Sequence, residues 1–179
     1  MTINKLERIE FPMNQYAEFF DQLAQRLGGE GFSVTRNVAT SDYSFDVIAV
    51  RSAFELSKFG KMTRFIIAAA VNPVDAKTVQ DYSSKSTKYA LDNRDSLLPL
   101  GFGGSLLSVP VIVSDDFTDE LKKWMTETVA EKHWSAFEFP VLISPKARQI
   151  FYCKKTPVWG AAYYKGFRKF VEKELAFQR

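Results

Sequence analysis

The sequence predicts an α/β protein built on a single mixed central sheet flanked by helices. Three observations carry that expectation. Two long runs, Ser44-Phe45-Asp46-Val47-Ile48-Ala49-Val50-Arg51 and Met62-Thr63-Arg64-Phe65-Ile66-Ile67-Ala68-Ala69-Ala70-Val71, are rich in β-branched and aromatic residues and apolar on both faces, as strands covered on both sides are. Segments with apolar residues at helical spacing stand before, between and after the strand-like runs. The 179 residues, 46% hydrophobic, suffice for one domain with a full core and are too few for two comfortable ones.

In chain order, residues 1–13 read as an extended lead-in in which Phe11-Pro12 restricts the backbone. From Asn14 onward Tyr16, Phe19, Phe20, Leu23, Ala24 and Leu27 make one helical stripe, and Gly28-Gly29 are expected to stop it. Phe32-Ser33-Val34-Thr35-Arg36 alternates and predicts a strand with one covered face. The two central strands follow, joined by residues 52–61. Asp75 is placed to cap a second helix, with Val79, Tyr82, Ser86, Tyr89 and Ala90 inward and Lys77, Asp81 and Lys85 at four-residue steps outward. Leu97 to Gly104 reads as a turn, because its GFGG lacks the downstream residues of either phosphate-binding motif.

Ser105 to Val113 predicts a further strand, set at an edge or a bulge by Pro110. Thr118 caps a third helix with Asp119 and Glu120 at its positive end and Leu121, Trp124, Met125, Thr128 and Val129 inward. Phe137 to Ile143 and Gln149 to Cys153 read as a hairpin about Ser144-Pro145-Lys146-Ala147. Gly160 precedes a last helix, with Tyr163, Phe167, Phe170, Val171 and Leu175 inside. The order is helix, three strands, helix, strand, helix, two strands, helix.

Composition removes many activities. One cysteine, Cys153, excludes an internal disulfide and a cysteine-based zinc site, and one histidine, His133, excludes sites built on several imidazoles. No apolar run approaches the ~20 residues of a membrane span, and Met1-Thr2-Ile3-Asn4-Lys5 lacks a signal-peptide core, so a cytoplasmic address is expected. The net charge of +3 is unevenly spread: residues 1–60 carry −2, residues 61–120 −2 and residues 121–179 +7. That asymmetry reads either as a polyanion-binding surface or as the solvated side of a C-terminal helix.

Tyr16-Ala17-Glu18 through Leu27, then Gly31-Phe32-Ser33-Val34-Thr35-Arg36, then Ser44-Phe45-Asp46-Val47-Ile48-Ala49, then Phe65 to Val71, and finally Val113-Ser114-Asp115-Asp116-Phe117-Thr118 occur in an order that resembles the restriction-endonuclease-like PD-(D/E)XK superfamily, in its Holliday-junction-resolvase and Mrr-type branches. The resemblance implies one domain over 1–179, with a nuclease-like core over about 14–130 and a C-terminal hairpin plus basic aromatic helix over about 131–179. It implies a metal-dependent phosphodiesterase site in which two carboxylates hold a divalent ion and a lysine helps activate water. Matched residue by residue, Asp46 takes the place of the first carboxylate and Glu18 that of a supporting acid. Ala68 and Ala70 stand where the second carboxylate and the lysine belong. Alanine does neither job, and loss of such an electrostatic group costs about 3–4 kcal/mol of barrier in comparable sites. No catalytic residue and no bound metal are therefore expected, Asp46 being the one candidate ligand.

The alternative is an active Mg²⁺-dependent nuclease in which Asp75, Lys77 and Asp81 point back from the second helix; a solvated helix face of compensating charges explains the same three residues. Asp46 itself reads either as a strand-end residue pairing with Arg36, Arg51 or Arg64 or as a vestigial ligand. His133 reads as a cap or packing residue at a helix end, Cys153 as a buried thiol, and Ser105 and Ser108 stand in no hydrolase motif. Lys146, Arg148, Lys154, Lys155, Lys165, Arg168, Lys169 and Lys173, interleaved with Phe151, Tyr152, Trp159, Tyr163 and Tyr164, are the nucleic-acid-binding candidates, unless the aromatics are core. The expected behaviour is that of a catalytically silent nuclease-fold protein acting on nucleic acid or a protein partner by binding alone. A homodimer joined through the aromatic C-terminal segment is a third reading.

Overall fold

A computed structural model of the chain describes residues 15–41, 43–55, 60–94, 104–130, 132–133, 136–158 and 161–177. It is an α/β protein with a single mixed sheet between two layers of helices, as the sequence predicts. The lead-in, the Leu97–Gly103 turn, Trp159 and Gly160 lie outside the described residues.

Helix α1 is Ala17–Gly29 and buries Phe20, Leu23 and Leu27. Gly28 and Gly29 remain helical, and the stop falls two residues later than expected. Gly31 adopts φ +83, the Phe32 N–H donates to Leu27 O at 3.0 Å, and the Gly31 N–H donates to Gly28 O at 3.1 Å. These are the two bonds of a Schellman ending, with Phe32 closing over Leu27 in the same core cluster.

Strand β1 (Ser33–Ala39) pairs antiparallel with β2 (Ser44–Glu55), and β2 antiparallel with β3 (Gly60–Ala70). The β2–β3 ladder runs to Glu55↔Gly60, so most of the expected connection over 52–61 is strand. The Ser52 and Thr63 hydroxyls hydrogen-bond across it at 2.9 Å. Helix α2 (Ala76–Asp92) then crosses over to β4 (Gly104–Val113), parallel to β3.

Pro110 corrects one expectation. It lies in a central strand and not at an edge, flanked by β3 on one side. On the other side β6 (Ala136–Glu138) pairs with Leu106–Ser108 and β7 (Val141–Ser144) with Val111–Val113, so Pro110 falls in the gap between two ladders. A missing N–H is tolerated where pairing is already interrupted. The run expected as one strand from Phe137 to Ile143 is therefore two, broken at Phe139-Pro140. The hairpin to β8 (Gln149–Tyr152) forms as expected, and Arg148 takes φ 52 in its turn. Helix α3 (Asp119–Glu127) ends well before His133, which belongs to a two-residue strand β5 (Lys132–His133) against β6 and not to a helix end.

Helix α4 is Ala161–Leu175. One core cluster lies between the sheet and α1 with α4, gathering Leu23, Leu27, Val47, Ala68, Val111, Tyr164, Phe167 and Val171. The other lies between the sheet and α2 with α3, gathering Phe45, Ile48, Ile67, Val79, Tyr82, Leu121 and Met125. Each strand of the centre feeds both, which is why β2 to β4 read as apolar on both faces. No described helix is long and apolar enough to cross a membrane.

Candidate functional site

Parallel strands concentrate function beyond their carboxyl ends. In this sheet β3, β4 and β7 end together, and β2, antiparallel to β3, begins there. Asp46 sits one residue before the Val47↔Ala68 pair, beside the last residues of β3. Its Oδ2 accepts the Ala70 N–H at 2.9 Å. Arg36 reaches it only through the backbone, donating from Nε to the Asp46 carbonyl at 3.0 Å while its Nη1 pairs with Asp21 at 2.6 Å. Burial pushes the Asp46 carboxyl above the ordinary aspartate range, and the Ala70 amide and the Arg36 charge pull part of that shift back. Of the other partners the sequence offered, Arg51 turns to Glu30 O at 2.7 Å and Glu174 at 3.0 Å, and Arg64 lies over Phe170.

The remaining positions of the implied nuclease site are scattered in their bonding. Ala68 is fully buried in the α1/α4 core, and Ala70 is half-buried against it. Glu18 is exposed in the first turn of α1 and accepts from Gln22 Nε2 at 3.1 Å. Asp75 caps α2, accepting both the Thr78 N–H and the Thr78 hydroxyl at 2.7 Å, and those bonds hold its carboxyl below the usual range. Lys77 and Asp81 lie on the same helix, Asp81 exposed. Among the described residues no three acids, histidines or cysteines gather as a metal-binding group. One carboxylate and two methyl groups are not the oxygen-rich, multidentate set that Mg²⁺ takes.

Periodicity missed a polar network at the same sheet end. Tyr16, assigned only to an apolar stripe, turns its hydroxyl to accept the Asp115 N–H at 2.9 Å, and burial raises its own pKa. Asp115 Oδ1 accepts from Ser144 Oγ at 2.6 Å and from the Lys146 N–H at 3.1 Å. Ser114 Oγ donates to Asn72 Oδ1 and accepts the Asp116 N–H at 3.1 Å. The available signal was positional: Asn72, Ser114 and Ser144 each stand just past, or at, the carboxyl end of a parallel strand. The network ties β3, β4, β7 and α1 together and spends its Asp115 carboxylate on the fold's own donors.

The basic candidates fall into two groups. Arg168 of α4 donates to Lys155 O at 3.2 Å and Thr156 Oγ1 at 2.9 Å, which brings the segment after β8 against the helix. Lys154, Lys155, Lys165 and Lys169 are exposed about it, with Lys155 3.9 Å from Glu127 and Lys154 over the Tyr152 ring at 3.6 Å. Lys146 and Arg148 stand apart in the β7–β8 turn, Arg148 over Phe177. Lys173 is held by Glu30 at 2.6 Å. Tyr152 and Tyr164 are buried, and Phe151 and Tyr163 pack against the two cores. Tyr152 and Tyr164 are covered by the chain itself, while Phe151 and Tyr163 stay partly exposed; Trp159 lies outside the described residues. Cys153 is buried, its thiol pushed up by that burial, and Ser108 is fully enclosed.

No family model matches this chain, and no curated protein or solved structure does either.

Proposed function

We propose that the chain is a restriction-endonuclease-like protein without a working cleavage site, and that it acts by binding nucleic acid. The observation that carries this reading is the Asp46 carboxylate accepting the Ala70 amide at 2.9 Å, beside an Ala68 methyl closed into the core. A carboxylate used in this way, with no second acid and no lysine at the matched positions, supports binding without hydrolysis. For the ligand, the exposed Lys154, Lys155, Lys165 and Lys169 around Arg168 offer cations of the kind that meet backbone phosphates. With Tyr152 and Tyr164 in the core and Phe151 and Tyr163 half-buried against it, contact is chiefly to phosphate, so little sequence preference is expected.

Fluorescence anisotropy with a short duplex over a salt series tests this. Affinity falls steeply as salt rises, because each neutralised phosphate releases about 0.9 counterion. The double variant Lys165→Glu/Lys169→Glu flattens that slope and weakens binding at low salt. A folded wild-type protein that ignores DNA at about 50 mM salt rejects the nucleic-acid assignment and directs the search to a protein ligand.

A further inference from the structure

Between α2, α3 and the ends of β6 and β8 lies a cavity of about 330 Å³, within the size range of small-molecule sites. It belongs neither to the strand-end network nor to the basic surface. Its apolar wall comes from Val79, Trp124, Met125, Val129 and Pro140. Ser83 lines the same space from the middle of α2. It is 1% exposed, and among the described residues its hydroxyl has no hydrogen-bond partner, not even a carbonyl of its own helix. A buried orphan of this kind is uncommon in a folded chain, because a neighbour, water or the preceding turn ordinarily takes the hydroxyl up. The two acids of the lining are otherwise placed: Glu138 accepts from Thr87 Oγ1 at 3.0 Å within the chain, and Asp81 is exposed to solvent. Lysine, arginine and histidine are absent from the described lining.

The geometry points to a binding site for a small neutral molecule with an aromatic body and one uncharged polar head. An indole and a thioether are wall groups that a flat ring packs against well, through offset or edge contacts and the polarizable sulfur. The Ser83 hydroxyl both donates and accepts, so rotation about one side-chain bond lets it take up the polar head, and that bond ends its isolation. An ionised ligand gains less. An anion meets no cation on the described lining. A cation would shed its own hydration against a Glu138 already engaged by Thr87 and an Asp81 that water screens.

The probe is phenethyl alcohol, titrated into the full chain and followed by saturation-transfer NMR. Its counterparts with the same ring are phenethylamine, phenylacetate and ethylbenzene, which change the head to a cation, an anion and nothing. Phenethyl alcohol binds saturably and at least about tenfold more tightly than either ion. Ser83→Ala removes the hydroxyl and leaves the wall in place; it weakens phenethyl alcohol several-fold and leaves ethylbenzene unchanged. Ser84→Trp, at an exposed position on the cavity wall, blocks the space and abolishes binding of the alcohol with an unchanged circular dichroism spectrum. Either ion binding as tightly as the alcohol, undiminished binding of the alcohol by Ser83→Ala or by folded Ser84→Trp, or no saturable uptake by the wild-type chain overturns the assignment.

Discussion

The two faces of the sheet are held by different physics. On the α1/α4 face, Glu174 is 1% exposed and accepts from Arg51 at 3.0 Å, while Lys173 stands 3.5 Å away and bridges to Glu30 at 2.6 Å. The Arg51 guanidinium also covers the Phe32 ring at 4.1 Å. On the α2/α3 face the comparable tie is neutral: the buried Tyr82 hydroxyl donates to Ile67 O at 3.0 Å, inside a group of rings from Tyr43, Phe45 and Tyr89. Buried charge fixes the last helix to one place because each ion demands its partner; a neutral hydrogen bond makes a weaker demand. The charged face is therefore the one that a single substitution damages most.

Glu174→Ala sharpens that contrast first. It leaves Arg51, a quarter exposed and still bonded to Glu30 O, without its acid partner and is expected to cost about 2–3 kcal/mol in urea unfolding. A loss under about 1 kcal/mol would mean that the pair is hydrated and that the two faces do not differ. Tyr82→Phe on the other face removes one neutral hydrogen bond and is expected to cost about 1–2 kcal/mol. If it cost more than Glu174→Ala, the ordering of the faces would be reversed.

The third effect is smaller and depends on pH. The Asp46 pKa is raised in the folded chain, so the native state binds its proton more tightly than the unfolded state. The stability it contributes is present below the ordinary aspartate value and is lost as pH rises through the raised one. An asparagine side chain keeps an oxygen to accept the Ala70 amide and has no charge to bury. The urea midpoint of Asp46→Asn should therefore gain on the wild type over the pH interval that begins at the ordinary aspartate value of about 4 and ends above the raised one. A gap that narrows over this interval would place a stabilising cation at Asp46.

The layered fold was legible in the sequence because β2, β3 and β4 carry apolar residues on both faces and the helices carry single stripes. The caps at Asp75 and Thr118 were legible too, since a short acceptor side chain before a helix has one obvious task. Pro110 was misplaced because edge status follows from the neighbouring strands, and the break between β6 and β7 leaves no mark in the local sequence around Pro110. Gly28-Gly29 misled because the ending depends on a left-handed residue, and among the described glycines Gly31 is the one that adopts that conformation. At the candidate site, Asp46 stood out as a lone acid in an apolar strand. Its partner did not, because a backbone amide has no sequence signature. Tyr16 was hidden for a related reason: its ring obeys the apolar stripe while its hydroxyl serves Asp115.

The sharpest check on a silent cleavage site is a nuclease assay. Purified chain is incubated with Mg²⁺ or Mn²⁺ and plasmid, single-stranded and branched DNA, beside the Asp46→Ala variant. Both proteins should leave every substrate intact. Cleavage by the wild type that vanishes in Asp46→Ala would contradict that silence, because the carboxylate that accepts the Ala70 amide would then be holding a catalytic metal.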